Sequence, residues 1–157
     1  MRLDRVNQWL TLLGNIGVIA GIMFLAIEIQ NNTHATQAQT RDLAAEKLMT
    51  WQLAISTNEF TADAFAKGWT GGDMSVAELN AYNQLVQSSF RMWENEWYQY
   101  QMGLYSEEEF LPRLARIEST MSMCSFRKVW KDGALYSPSF RDLVNGMIEE
   151  SAGSECN

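Results

Sequence analysis

The feature that most constrains this chain is an uncharged apolar stretch close to its N-terminus. Val6 through Ile27 contains no charged residue, and between Leu10 and Ile27 only Thr11 and Asn15 are polar. A helix of about 22 residues is roughly 33 Å long, which matches the ~30 Å hydrocarbon core of a bilayer. The stretch also lacks the polar face of a soluble amphipathic helix. We therefore predict that it spans a membrane as one helix.

Two other interpretations of the stretch fit less well. A signal peptide has a shorter apolar region followed closely by a cleavage site of the A-x-A type, and no such site follows here. A helix buried on all sides in a soluble core is rare in a chain of 157 residues. Trp9, at the N-terminal edge of the stretch, is typical of a membrane interface.

Small and polar residues in the predicted span suggest contacts beyond lipid. Gly14, Gly17 and Gly21 are spaced so that two helix backbones could approach closely, and Asn15 could hydrogen-bond across such a contact. These four residues form the predicted helix-association face. Glu28 follows the span. It is interpreted as an interfacial carboxylate that reaches water or, in an oligomer around an axis, as part of an acidic ring at a pore mouth.

The rest of the chain predicts an all-α fold, in which the transmembrane helix continues into a four- to five-helix bundle. The first helix is expected to run to about Ser56, with a weak point or headgroup exit near residues 31–33. Large residues then recur at helical spacing, and Phe90, Trp93, Trp97 and Tyr100 form a predicted core aromatic seam. Further predicted helix starts are a cap at Thr57 or Asn58, capping boxes at Ser75–Glu78 and Ser106–Glu109, and Pro138.

These signals give predicted boundaries for the helices and domains. The helix after residue 57 is expected to end at Gly68, and the helix after Ser106 is expected to reach Val129 or Trp130. The predicted organisation is an N-terminal flank and transmembrane helix at 1–29, an acidic helical bundle at 30–150 and a tail at 151–157.

Charge and cysteine content bear on the partners and the compartment. The net charge is −7, and the charges through Glu28 sum to zero, so the acidity belongs to the chain beyond Glu28. Such a domain repels phosphate backbones, and no nucleic-acid partner is expected. Cys124 lies in the Met-rich segment TMSMCSF and is interpreted as a buried thiol. Cys156 lies in the tail, and the sequence alone leaves a disulfide open.

Several segments resemble a widespread set of uncharacterised bacterial single-pass membrane proteins. The segment IGVIAGIMFLAIEIQNNTHATQA resembles their N-terminal helix, which has the form IG-x-IA followed by LA-x-QI and NT-x-A. FRMWENEWYQYQMGLYSEEEF and VWKDGALYSPSFRDLV are similar to two later segments of the same set. The resemblance implies a membrane-anchored helical bundle and no particular activity. The family carries arginines just after the span, whereas this chain has Asn31, His34 and Gln37 there.

Candidate catalytic or metal-binding residues are few. A di-iron site of Glu and E-x-x-H ligands needs two histidines in the bundle, and the chain has only His34, interpreted as a solvated polar residue. No Ser-His-Asp set, GxGxxG or P-loop is indicated, and no cofactor is expected. Glu94 is interpreted as one half of a buried salt bridge with Arg113, Arg116 or Arg127, and Glu96 as a solvent-facing residue.

The leading functional hypothesis is a non-enzymatic, single-pass membrane protein whose helical domain mediates self-assembly or association with a membrane complex. A homo-oligomeric pore is the alternative, and an enzyme with an unrecognised site is a distant third. Arg2 and Arg5 precede the span, and the nearest cations beyond it are Arg41 and Lys47. The resemblance implies a protein of the bacterial inner membrane. The positive-inside rule predicts a cytoplasmic N-terminus and a periplasmic domain, whereas the arginines that follow the span in the family favour the opposite orientation.

Overall fold

The all-α prediction is confirmed by a computed structural model, which describes residues 2–130, 135–150 and 156, with Arg2 and Asp4 described by backbone only. The described residues form six helices and no strand. Most of the predicted tail and residues 131–134 lie outside the described part of the chain. The helices are α1 (Arg2–Ser56), α2 (Glu59–Thr70), α3 (Val76–Gln101), α4 (Glu107–Met121), α5 (Cys124–Trp130) and α6 (Pro138–Glu150).

Contacts divide the chain into two compact units, Met1–Arg41 and Asp42–Asn157. We call the second unit the helical domain. The first unit is helical over its described length and is not interrupted at residues 31–33. The hydroxyl groups of Thr33 and Thr36 donate to the carbonyl oxygens of Ile29 and Asn32 one turn earlier, each at 2.9 Å. These bonds satisfy the two hydroxyl groups within the helix, and no weak point is found there.

Local sequence signals explain where the helices of the domain begin. Asn58 caps α2, and its side chain accepts a hydrogen bond from the amide of Thr61. Ser75 and Ser106 each form a complete capping box, with Glu78 and Glu109 respectively. These caps satisfy amide groups that have no partner within the helix, as their sequence patterns predict.

One predicted helix end is wrong, and one predicted helix is interrupted. α2 continues past Gly68 to Thr70, because Gly71, with φ of 74°, supplies the left-handed cap, whereas Gly68 is buried inside the helix. The helix predicted to run from Ser106 to Val129 or Trp130 is two helices, α4 and α5. At the break, Arg127 Nε donates to the carbonyl of Met121 at 2.7 Å, which satisfies an end of α4 that would otherwise lack a partner.

The core of the helical domain forms around α3. Tyr82, Val86, Phe90 and Trp93 of this helix are buried, and residues from α4, α5 and α6 close around them. Phe90 is fully buried, and its ring lies 5.1 Å from the Trp130 ring, edge to face. A second, smaller cluster contains Ala44, Tyr105 and Phe110. α3 also carries Glu94 and Glu96, which lie beside the predicted aromatic seam in the sequence, so its packing sets where these two carboxylates lie.

Candidate functional site

The apolar segment of α1 has no packing partner among the described residues of its own unit. By length and composition, α1 is apolar enough to cross a membrane, and no residue of its most apolar 18-residue segment is buried. A Cβ atom added at Gly14, Gly17 or Gly21 would meet nothing within 4 Å. These three glycines share one side of the helix, which we call the glycine face.

The polar residues of this segment take different positions around the helix. Asn15 follows Gly14 by one residue, and successive residues of an α-helix are about 100° apart, so Asn15 lies off the glycine face rather than on it. Glu28 follows Gly21 by seven residues, about two turns, and so lies on the same side as the glycines. Both side chains are exposed, as is His34.

The predicted aromatic seam lies in the core, at different depths along α3. Phe90 and Trp93 are buried, whereas Trp97 and Tyr100 are half-buried. The ring of Tyr100 stacks on that of Phe110, with 4.3 Å between centroids. The seam therefore packs helices together, as the heptad-like spacing indicates.

Glu94 forms an ion pair, but its partner differs from the predicted ones. The partner is Arg91, which lies one turn earlier on α3 and donates from Nη1 to the Glu94 carboxylate at 2.7 Å. The other carboxylate oxygen accepts the amide N–H of Ser137, directly before α6. Burial alone would raise the pKa of Glu94, but the Ser137 amide and Arg91 outweigh it and lower the pKa. Glu94 therefore links α3 to the start of α6 at the surface, instead of forming a buried bridge.

The buried carboxylate is Glu96, so its predicted solvent-facing position is wrong. Glu96 is 6% exposed and pairs with Arg113 of α4 at 2.5 Å. Burial raises the pKa of Glu96 above its usual value, although Arg113 opposes this. The sequence carried the signal, since Glu96 follows Trp93 by three residues and so lies nearer than Glu94 to the buried side of α3.

Glu96 and Arg113 line a cavity of about 380 Å³ within the helical domain. Its volume falls in the range of small-molecule sites. Aromatic side chains from four helices form much of the wall: Trp51, Trp69, Trp93 and Phe126. The hydroxyl groups of Ser89 and Thr120 also line it, and each donates to a backbone carbonyl of its own helix. The wall thus combines aromatic surface with a few charged groups, as the walls of small-molecule sites do.

Arg116 is the second guanidinium on the wall of this cavity. It lies one turn after Arg113 on α4 and is exposed. Its positive charge acts on Glu96 and lowers the pKa of that carboxyl, against the larger effect of burial. Glu109, also on the wall, accepts hydrogen bonds from the amide and hydroxyl of Ser106 in the capping box.

The two cysteines form a disulfide, which corrects the interpretation of Cys124 as a buried thiol. Cys124, at the start of α5, bonds to Cys156 across 32 positions of sequence. The covalent link ties the region after α6 back to α5. Sequence spacing could not reveal it, because the pairing depends on how α5 and α6 pack.

Comparison with protein-family models, curated proteins and solved structures found no match to this chain. Among the described residues, no group of three or more His, Cys, Asp or Glu side chains could hold a metal ion.

Proposed function

We propose that this chain is a single-pass membrane protein whose role is assembly rather than catalysis. It self-associates through the glycine face and carries its helical domain on the non-cytoplasmic side. The observation that carries this proposal is the exposure of large apolar side chains along α1, from Leu3 to Ile29. Contiguous apolar surface of this kind is rare on soluble monomers and marks contact with lipid or another protein.

The glycine face supports self-association within the membrane. Gly14, Gly17 and Gly21 leave the α1 backbone open on one side, so a second copy can approach closely there. Isologous packing of two copies would use the same patch on each, as in most homodimers. Glu28 lies on this side of the helix, so its carboxylates would approach each other at the end of the contact.

The disulfide supports the orientation. Disulfides persist in oxidising compartments and are rare in the cytosol. The Cys124–Cys156 bond therefore fits a domain outside the cytoplasm. Arg2 and Arg5 independently favour a cytoplasmic N-terminus. In a bacterium, the domain would face the periplasm.

Light scattering of the full chain in mild detergent tests the assembly. We expect a mass of at least two copies, and we expect Gly17→Ile to shift the protein toward the monomer because the added side chain separates the backbones. Ala26→Ile is the matched control. It also adds a bulky side chain, but Ala26 is nine residues after Gly17 and so lies about 180° around the helix from it, away from the glycine face. A wild-type monomer that also captures no membrane-protein partner would overturn the proposal.

Thiol labelling tests the orientation separately. Asp73, in the turn between α2 and α3, is exposed, so Asp73→Cys offers one free thiol beside the native disulfide. We expect a membrane-impermeant maleimide to label this variant once the outer barrier is opened and the inner membrane is intact. The wild type is the control and should remain unlabelled. Labelling of Asp73→Cys only after the inner membrane is broken would place the domain in the cytoplasm.

A pore is the second candidate, and the position of Glu28 on the glycine face favours it. In an oligomer closed around an axis, this face would bring the Glu28 carboxylates together as an acidic ring. Planar-bilayer recording separates the two candidates. Cation currents that vanish in Glu28→Gln support a pore, whereas silent bilayers with an intact oligomer support assembly alone.

A further inference from the structure

The cavity beside Glu96 has walls that suit a flat apolar body. Trp69 packs edge to face on Phe126 at 5.8 Å, and Trp93 stacks on Phe126 at 6.4 Å. Trp51 is fixed by a hydrogen bond from its indole N–H to the carbonyl of Leu85 at 3.1 Å. These contacts hold the aromatic walls in place before any ligand binds. Preorganised aromatic walls reduce the entropy that is lost on binding.

The wall carries two carboxylates and two guanidiniums, which differ in how they are paired. Arg113 is paired with Glu96. Glu109 is held by Ser106 in the capping box at the start of α4. The Arg116 guanidinium makes no hydrogen bond or ion pair with another described residue. The cavity therefore presents one cation whose hydrogen-bond donors are available.

We propose that this cavity binds a small aromatic carboxylate, with its ring between Trp51, Trp69 and Trp93 and its acid group against Arg116. A guanidinium matches a carboxylate through two parallel hydrogen bonds. All of these residues belong to the helical domain, so the binding is independent of the assembly proposed for α1.

Isothermal titration of the full chain in mild detergent tests this proposal, with titration into empty micelles as the blank. The probes are naphthalene-2-carboxylate and its neutral amide, which have the same shape. We expect the wild type to bind the acid about tenfold more tightly than the amide, because only the acid forms charge-assisted hydrogen bonds with Arg116. Heats equal to the micelle blank, or equal affinity for the two probes, would overturn the proposal.

Three variants locate the binding. Arg116→Gln should remove the preference for the acid and leave binding of the amide unchanged. Trp69→Leu, at the half-exposed edge of the cavity, should weaken both probes by a similar factor. Arg141→Gln, on α6 and away from the cavity, is the control for loss of one positive charge and should bind as the wild type does. An unchanged preference in Arg116→Gln would exclude this site.

Discussion

Phe24 and Phe90 both lie in the middle of long helices, yet their surroundings are opposite. Phe24 of α1 is 62% exposed, whereas Phe90 of α3 is 0% exposed and its ring centroid lies within 6.2 Å of those of four other aromatic side chains. The helical backbone is the same in both regions, but only the helical domain supplies partners for its own apolar side chains. The apolar segment of α1 has no such partners within its own unit as described, and in the proposed function lipid or another copy would supply them.

The difference predicts that the same substitution acts differently in the two regions. Phe90→Ala should lower the free energy of unfolding of the helical domain by about 4 kcal/mol, because it removes a buried ring and leaves a cavity. Phe24→Ala should change that free energy by less than about 0.5 kcal/mol. Urea unfolding of the full chain in detergent, followed by tryptophan fluorescence, measures both. Equal losses would mean that the two regions are not separate units of stability.

Arg113→Met tests the charged part of the domain core. We expect a loss of about 3 kcal/mol at neutral pH, because the variant leaves Glu96 buried without its cation. Burial already raises the pKa of Glu96 in the folded state, and loss of Arg113 raises it further. The loss should therefore shrink as the pH falls toward 4 and Glu96 takes up a proton.

The double variant Glu96→Leu, Arg113→Met is the control for this charge effect. Replacing a buried ion pair by apolar residues of similar volume is often neutral. The double variant should therefore be more stable than Arg113→Met at pH 7 and should lose the pH dependence. If both variants unfold alike at all pH values, the charge of Glu96 is not the cause.

Two helical glycines in the domain sharpen the comparison at the level of packing. A Cβ at Gly68 of α2 would lie 2.2 Å from the ring of Tyr82 on α3, whereas a Cβ at Gly146 of α6 would meet nothing within 4 Å. Gly68→Ala should destabilise the domain by about 2 kcal/mol through overpacking. Gly146→Ala should stabilise it by about 0.5–1 kcal/mol, because alanine favours the helix. Thermal unfolding of the two variants gives the signs directly.

Sequence reasoning succeeded where the signal is local. The end of α1, the start of α6 and both capping boxes depend on residues close together in the chain, and the structure confirms them. Heptad-like spacing identified Phe90 and Trp93 as core residues because helical periodicity maps directly onto a buried side. The domain boundary predicted near residue 29 marked the end of the apolar segment, whereas contacts divide the chain after Arg41.

Sequence reasoning failed where the outcome depends on contacts between distant segments. The break between α4 and α5 depends on Arg127 reaching the end of α4. The Glu96–Arg113 pair and the Cys124–Cys156 bond join residues 17 and 32 positions apart, and only helix packing brings them together. Glu94 and Glu96 lie only two positions apart on α3, and their different burial depends on which helices pack against each side of α3.

The smallest predicted effect concerns the way in which α3 begins. The Glu78 carboxylate accepts hydrogen bonds from the amide and hydroxyl of Ser75, each at 2.7 Å, and pairs with Lys67 of α2. Lys67 and the Ser75 amide are the main causes that lower the pKa of Glu78 to about 2. α3 has 26 residues and begins at this cap, whereas α1 has 55 residues.

Ser75→Ala should therefore lower the free energy of unfolding by about 1 kcal/mol, the usual effect of losing an N-cap. Thr33→Ala, which removes an exposed hydroxyl from the middle of α1, should change it by less than about 0.5 kcal/mol. The Glu78 carboxylate stabilises the fold above its usual pKa of 4.5, and this stabilisation is lost as the pH falls toward 2. Glu78→Gln should accordingly be less stable than the wild type at pH 7 and equal to it near pH 2. Urea unfolding across this range measures the convergence, and a constant difference would show that the charge of Glu78 does not stabilise the cap.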